Sequence, residues 1–153
     1  MSDPRLSASV VGVGARFATF EVDDSSITYD ADYAGGSEQV GLAVNLSDDL
    51  TIQLVGDGEF VLGKLIKVEA DNMCTVQIGG GCTLPGGDGA TLTHGLRIVG
   101  DLGASSAEGY IRNAAVGTNQ DPTTAEMTEM LNARHMIIDA STTTAVEVML
   151  GSG

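Results

Sequence analysis

GDGEFVLGKLIKVEADNMCTVQIGG, residues 56 to 80, reads as two strands joined by one polar turn. From Phe60 the chain sets Val61, Gly63 and Leu65 on one face and Leu62, Lys64 and Ile66 on the other, then runs on to Val68. After Glu69-Ala70-Asp71-Asn72 the alternation resumes, with Cys74, Val76 and Ile78 on one side and Thr75 and Gln77 on the other. A period of two places successive side chains on opposite faces of a sheet. Asp and Asn in the turn tolerate left-handed backbone angles and bond their own chain. The stretch predicts a β-hairpin whose second strand closes at Gly79-Gly80-Gly81.

The same grammar recurs along the chain. Apolar, β-branched runs lie at Val10 to Val13, Phe17 to Val22, Val40 to Leu46, Thr51 to Val55, Leu96 to Val99, Tyr110 to Ile111, Met136 to Ile138 and Ala145 to Leu150. Turn-forming clusters such as Ser47-Asp48-Asp49 and Pro85-Gly86-Gly87-Asp88-Gly89 separate them. Short strands between turn signals predict an all-β fold, a small antiparallel β-sandwich or barrel. One helix is expected at 123–133, because Thr123 and Glu126 have capping-box spacing and Pro122 suits a helix entrance. Met127, Met130 and Leu131 then fall on one stripe. That helix is expected to cover a sheet edge or fill a subunit contact, with plain core packing the default reading of its methionines.

Composition narrows the function. A chain of 153 residues is expected to form a single β domain over 1–153, with 1–9 as a flexible N-terminal arm. Aromatic residues are 4% and Trp is absent, so the core must be built from aliphatic side chains. A formal charge of −14 repels phosphate backbones and anionic lipid, which argues against nucleic acid and membranes as partners. The N-terminus lacks the basic and apolar regions of a secretory signal, so Cys74 and Cys82 are expected to be reduced, buried or half-buried thiols.

Chemical constellations are sparse. Ser105, His135 and Asp139 supply the residue types of a hydrolytic triad, but no Gly-x-Ser-x-Gly turn orients them, and His135 reads as a strand-edge or interface residue. Counted from Asp30, a calcium loop would use Asp32, Gly35 and Glu38, yet its fifth position is Ala34 and its twelfth is Gly41. The segment therefore reads as a solvated acidic loop rather than an EF-hand. Gly12 and Gly14 begin a dinucleotide-like pattern that fails at Phe17, and two cysteines with a distant His are too few for zinc. No catalytic residue, cofactor or metal is expected, and the chain does not read as an enzyme.

Asp57 to Glu69, then Thr75-Val76-Gln77-Ile78, a Gly-rich linker, Gly95 to Asp101, and a closing Ala145-Val146-Glu147-Val148-Met149-Leu150 follow one another in this chain. That order of segments resembles the cement, or decoration, proteins of tailed-bacteriophage heads. The likeness covers Gly56 to Leu150. It implies a homotrimer, assembled in the host cytoplasm, that binds the major capsid protein on the outer surface of the virion at capsomer junctions and stabilises the shell. Ser2, Arg5, Arg16, Asp30, Asp32 and Glu38 are then candidates for capsid contact, and Met127, Met130 and Leu131 for the trimer contact. A glycan- or receptor-binding virion module is the alternative, with a hydrolase further behind.

Overall fold

The computed structural model describes residues 8–23, 25–115 and 121–151. Its elements follow the turn chemistry of the chain. The hairpin at its centre pairs β4 (Gly63–Val68) with β5 (Met73–Leu84), antiparallel, around a turn in which Asn72 takes φ 64°. Leu65 and Val68 both point inward although their parity differs. A register shift between Leu65 and Lys67 absorbs the extra residue, as a β-bulge does.

Five strands close on themselves. β1 (Arg16–Val22) pairs with β5 along six residues, and β2 (Ala43–Asp48) forms a hairpin with β3 (Thr51–Leu54) while also pairing with β4. A short parallel contact of β1 with β3, Glu21 to Thr51 and Val22 to Ile52, completes the ring β1-β3-β2-β4-β5. The expected choice between sandwich and barrel thus resolves to a barrel. Val22, Ile27, Val44, Ile52, Leu65, Val68, Cys74 and Val76 fill its interior. Closure matters because it leaves the ring no free sheet edge to template aggregation.

The second half builds on the far end of β5. β9 (Val146–Leu150) pairs with β5 from Gly80 to Leu84, and β8 (Met136–Asp139) pairs with β9. β6 (Ile98–Asp101) and β7 (Tyr110–Asn113) form a separate antiparallel pair. Short links stitch that pair to both sides, Arg97 bridging Met136 and Gly86 bridging Ile111. A second apolar core lies here, with Cys82, Leu84, Ile98, Ile111, Ile137, Val146 and Val148 joined by Val55 and Val61.

β5 is therefore the spine of the molecule, serving one core with its first half and the other with its second. The expected stop at Gly79-Gly80-Gly81 does not occur, since the strand runs twelve residues to Leu84. The glycines instead let another chain segment press against the strand. Gly80 has φ 84°, and the backbone of Val10, Val13 and Gly14 occupies the space that side chains at Gly80 and Gly81 would fill. Gly12 donates its amide to Gly81 O at 2.8 Å, and Gly81 returns a bond to Val13 O at 2.9 Å. Val10 to Val13, expected as a strand, is thus a turn that straps the spine. Gln77, on the face opposite Cys74 and Val76, is also buried, and its Nε2 donates to Gly79 O and Gly81 O across the same bend.

Both cysteines are free and buried. They sit eight residues apart on one extended strand, a separation of about 26 Å at the usual strand rise. No bridge between them is possible within one chain. Among the described residues no helix is long and apolar enough to cross a membrane.

Candidate functional site

α1 (Thr124–Asn132) is the one α-helix among the described residues, and it starts as its sequence requires. The Thr123 side chain accepts the Glu126 amide at 3.2 Å, and the Glu126 carboxylate accepts the Thr123 amide at 2.7 Å. This reciprocal pair satisfies two amides that a helix start leaves unbonded.

The orientation of the helix is the opposite of an ordinary surface helix, whose apolar stripe faces the core. No residue of α1 is buried. Met127, Met130 and Leu131 are 46, 56 and 71% exposed, so the core-packing reading of these side chains does not hold. The helix lies on its polar side instead. Asn132 donates from Nδ2 to Gly58 O at 3.1 Å, and Glu129 reaches down to the sheet.

What receives Glu129 is Arg112, a residue to which the sequence drew no attention. Its Nη1 and Nη2 donate to the two Glu129 oxygens at 2.9 and 2.6 Å. Nε and Nη2 also donate to Asp57 Oδ1 at 3.2 and 3.0 Å, and Nη1 to Asn113 O at 3.1 Å. These five bonds use every N–H of the guanidinium. Asp101 of β6 stands 3.7 Å from Nε. Glu129 additionally accepts the Ala115 amide at 2.8 Å.

The titration of the cluster follows from this geometry. The Glu129 carboxylate is held below its ordinary range by the hydrogen bond from Arg112, against the effect of burial. Arg112 is held still more firmly charged, chiefly by Glu129. Asp101 moves the other way, raised by burial and only partly offset by the Leu102 amide and by Arg112. Arg112 borders an open cleft lined also by Asp88, Thr91, Leu96 and Asp101. With all five donors committed to protein oxygens, it offers none to an anion in that cleft.

His135 sits just ahead of β8, the last strand of its sheet, and is buried rather than exposed at an interface. It is 5% exposed, and both ring nitrogens engage the backbone, Nε2 with Val61 O at 2.6 Å and Nδ1 as acceptor of the Gly151 amide at 2.9 Å. Asp139 bonds the Ser141 amide at 2.8 Å. Ser105 lies in a short turn at Ala104–Ser106, with φ 58°. The three residues do not form a hydrogen-bonded relay, and His135 has no nitrogen left to activate a nucleophile.

Asp30, Asp32 and Glu38 are exposed on the loop after β1, where Asp30 Oδ1 caps its own turn by accepting the Asp32 amide at 2.9 Å. Among the described residues no group of three or more His, Cys, Asp or Glu is placed to hold a metal ion. Tyr29 and Tyr33 are exposed on the same loop. Arg16 opens β1 and lies over Gly79 and Gly151. Val11, Val13 and Phe17, on and beside the strap, are exposed as well. Ser2 and Arg5 lie outside the described residues, as does most of the 1–9 arm.

The apolar period of α1 was legible in the sequence, but its outward orientation was not. The one usable clue was that Glu129 and Asn132 sit opposite the stripe, while a lone Arg in a short strand pointed nowhere. Comparison of the chain with protein-family models, with curated proteins and with solved structures finds no match.

Proposed function

We propose that this protein is a structural subunit rather than an enzyme, a cement or decoration protein that trimerises and binds the outer surface of a bacteriophage head. The observation that carries the reading is the inverted helix, with Met127, Met130 and Leu131 held outward in water. Grouped exposed apolar side chains mark interaction surfaces. Three copies of α1 around a three-fold axis would bring these stripes together, each copy using the same surface patch.

The segment order from Gly56 to Leu150 supports the head-binding part of the reading. A ligand that binds only the assembled lattice stabilises it by mass action, and a trimer touching several shell subunits rebinds before it escapes. Asp30, Asp32 and Glu38 on their exposed loop, with Arg16, are the proposed contacts to the major capsid protein, together with Ser2 and Arg5. Charges at such a rim act mainly on association rate and partner choice.

Light scattering on the purified protein, followed by co-sedimentation with undecorated heads of the phage that encodes it, tests the proposal. A trimer that sediments at fixed stoichiometry and raises the temperature at which the heads open supports it. A monomer that stays in the supernatant overturns it. Exposed Tyr29 and Tyr33 on one loop favour a second reading, a glycan- or receptor-binding module, because sugars stack on such rings. Saturable binding on a glycan array, lost in Tyr33→Ala, would establish that alternative.

A further inference from the structure

We propose that Arg112 is the positioning residue of the self-association face, anchoring α1 through Glu129 so that Met127, Met130 and Leu131 are turned outward. The inference rests on the trimer reading for what the stripe meets; the anchoring is a separate physical claim.

Hydrophobic burial does not orient this helix, since none of its residues is buried. Polar contacts must, and those that reach the body converge on one base. The two-point bond between Arg112 and Glu129 fixes the rotation of α1 about its axis as well as its position, because a planar fork on a carboxylate has a defined plane. The base is firm. Arg112 belongs to β7, paired with β6, and Asp57 and Asn113 O hold the rest of its guanidinium. The Ala115 amide on Glu129 and the Gly58 carbonyl under Asn132 extend the same footing.

Turning the stripe inward would strip Glu129 from a guanidinium that is 21% exposed, leaving part-buried donors without their charged partner. The sheet beneath also offers charge and carbonyl oxygen, not apolar surface, at Asp57, Gly58 and Arg112. The helix therefore has one satisfied docking, and it leaves the apolar stripe in water. A lysine at 112 would not serve, because an ammonium lacks the fork.

Hydrogen exchange and light scattering on Glu129→Ala and Leu131→Asp test this together. Alanine keeps helix propensity, so Glu129→Ala removes the anchor without weakening the helix itself. The expected result is exchange of the Met127 to Asn132 amides faster by about 10- to 100-fold, with the strand amides unchanged, as loss of charge-assisted bonds implies. The concentration for half-dissociation of the trimer should rise at least about tenfold, which for three monomers in equilibrium with one trimer is about a hundredfold in the dissociation constant. If Glu129→Ala does not fold, Glu129→Gln, which keeps the volume and loses the charge, is read in the same way. Helix amides that exchange alike in variant and wild type overturn the anchor. A loosened helix with association intact overturns the positioning role. Leu131→Asp leaves the anchor untouched, so unchanged association in that variant overturns the trimer reading instead.

Discussion

The carbonyl of Val10 occupies the space that a side chain on Gly81 would need, so the two residues hold the N-terminal strap against the middle of β5. Gly81 is extended rather than left-handed in this strand, and its requirement is one of room. Gly81→Ala should therefore act as overpacking against backbone and cost about 2 kcal/mol or more. Thermal unfolding checks it, with Tm expected to fall by about 4–8 °C at this chain length. A change below 1 °C would show that the strap is not held by this contact.

His135 ties two distant segments through its ring, Val61 on one side and Gly151 on the other. Burial holds its imidazole below the ordinary value of 6.5, helped by the charge of Arg134 and opposed by the bond to Val61. The unfolded chain then takes the proton first, so stability from this group is intact above about 6.5 and declines as pH falls toward the folded value. The decline approaches about 1.4 kcal/mol per pH unit across that window. Denaturant titrations from pH 7.5 to 5 should show a steeper loss in the wild type than in His135→Asn. Parallel curves would contradict the assignment.

Both thiols are pushed up to about 11, each by burial, which outweighs the Phe20 carbonyl contact at Cys74 and the Lys64 charge at Cys82. The thiolate is the reactive form, so both should resist an aromatic disulfide reagent at pH 8 in the folded protein and react promptly in denaturant. Fast labelling of either under native conditions would mean that its core opens locally.

Thr123→Ala should weaken the start of α1 by about 1 kcal/mol through loss of the cap. Because the helix buries none of its residues, the melting temperature of the barrel should hardly move, while amide exchange in the first helical turn accelerates. A matching fall in global stability would mean that α1 supports the body rather than resting on it.

Leu131→Ser, at the most exposed apolar position of the helix, is expected to shift monomer stability by no more than about 0.5 kcal/mol. The same change should lower the mass seen by light scattering. A strongly destabilised monomer would place Leu131 in the core after all.

Much of this fold is local chemistry and could be read before any coordinates. Period-two runs bounded by Gly, Asp and Asn marked β1 to β9 apart from the second half of β5, and Thr123 with Glu126 marked the helix, because strand alternation and caps depend on neighbours in sequence. Errors arose where a distant segment set the outcome. Gly79 to Gly81 reads as a stop by composition, yet Gly80 and Gly81 admit a strap that starts about seventy residues earlier, and Gly79 lies under the Arg16 side chain. Val10 to Val13 has strand propensity, but its amide and carbonyl bonds go to that spine at a turn. Gln77 is polar and sits on the face opposite Cys74 and Val76 as its parity requires, and its burial there depends on two backbone carbonyls at the bend that satisfy its amide.

The sequence by itself determined the all-β class, the hairpin turn at Glu69-Ala70-Asp71-Asn72 between β4 and the first half of β5, the acidic surface and the amphipathic period of α1, since each follows from side-chain type and spacing along the chain. Tertiary structure alone decided that the sheet closes as a barrel, that one strand serves two cores, that His135 is buried, and that the apolar side of α1 faces water. That last choice belongs to Arg112 and Glu129, seventeen residues apart, whose bond exists only once β7 and the helix are brought together. Alternation says which side chains share a face, and only the partner that binds the other face says which way it turns.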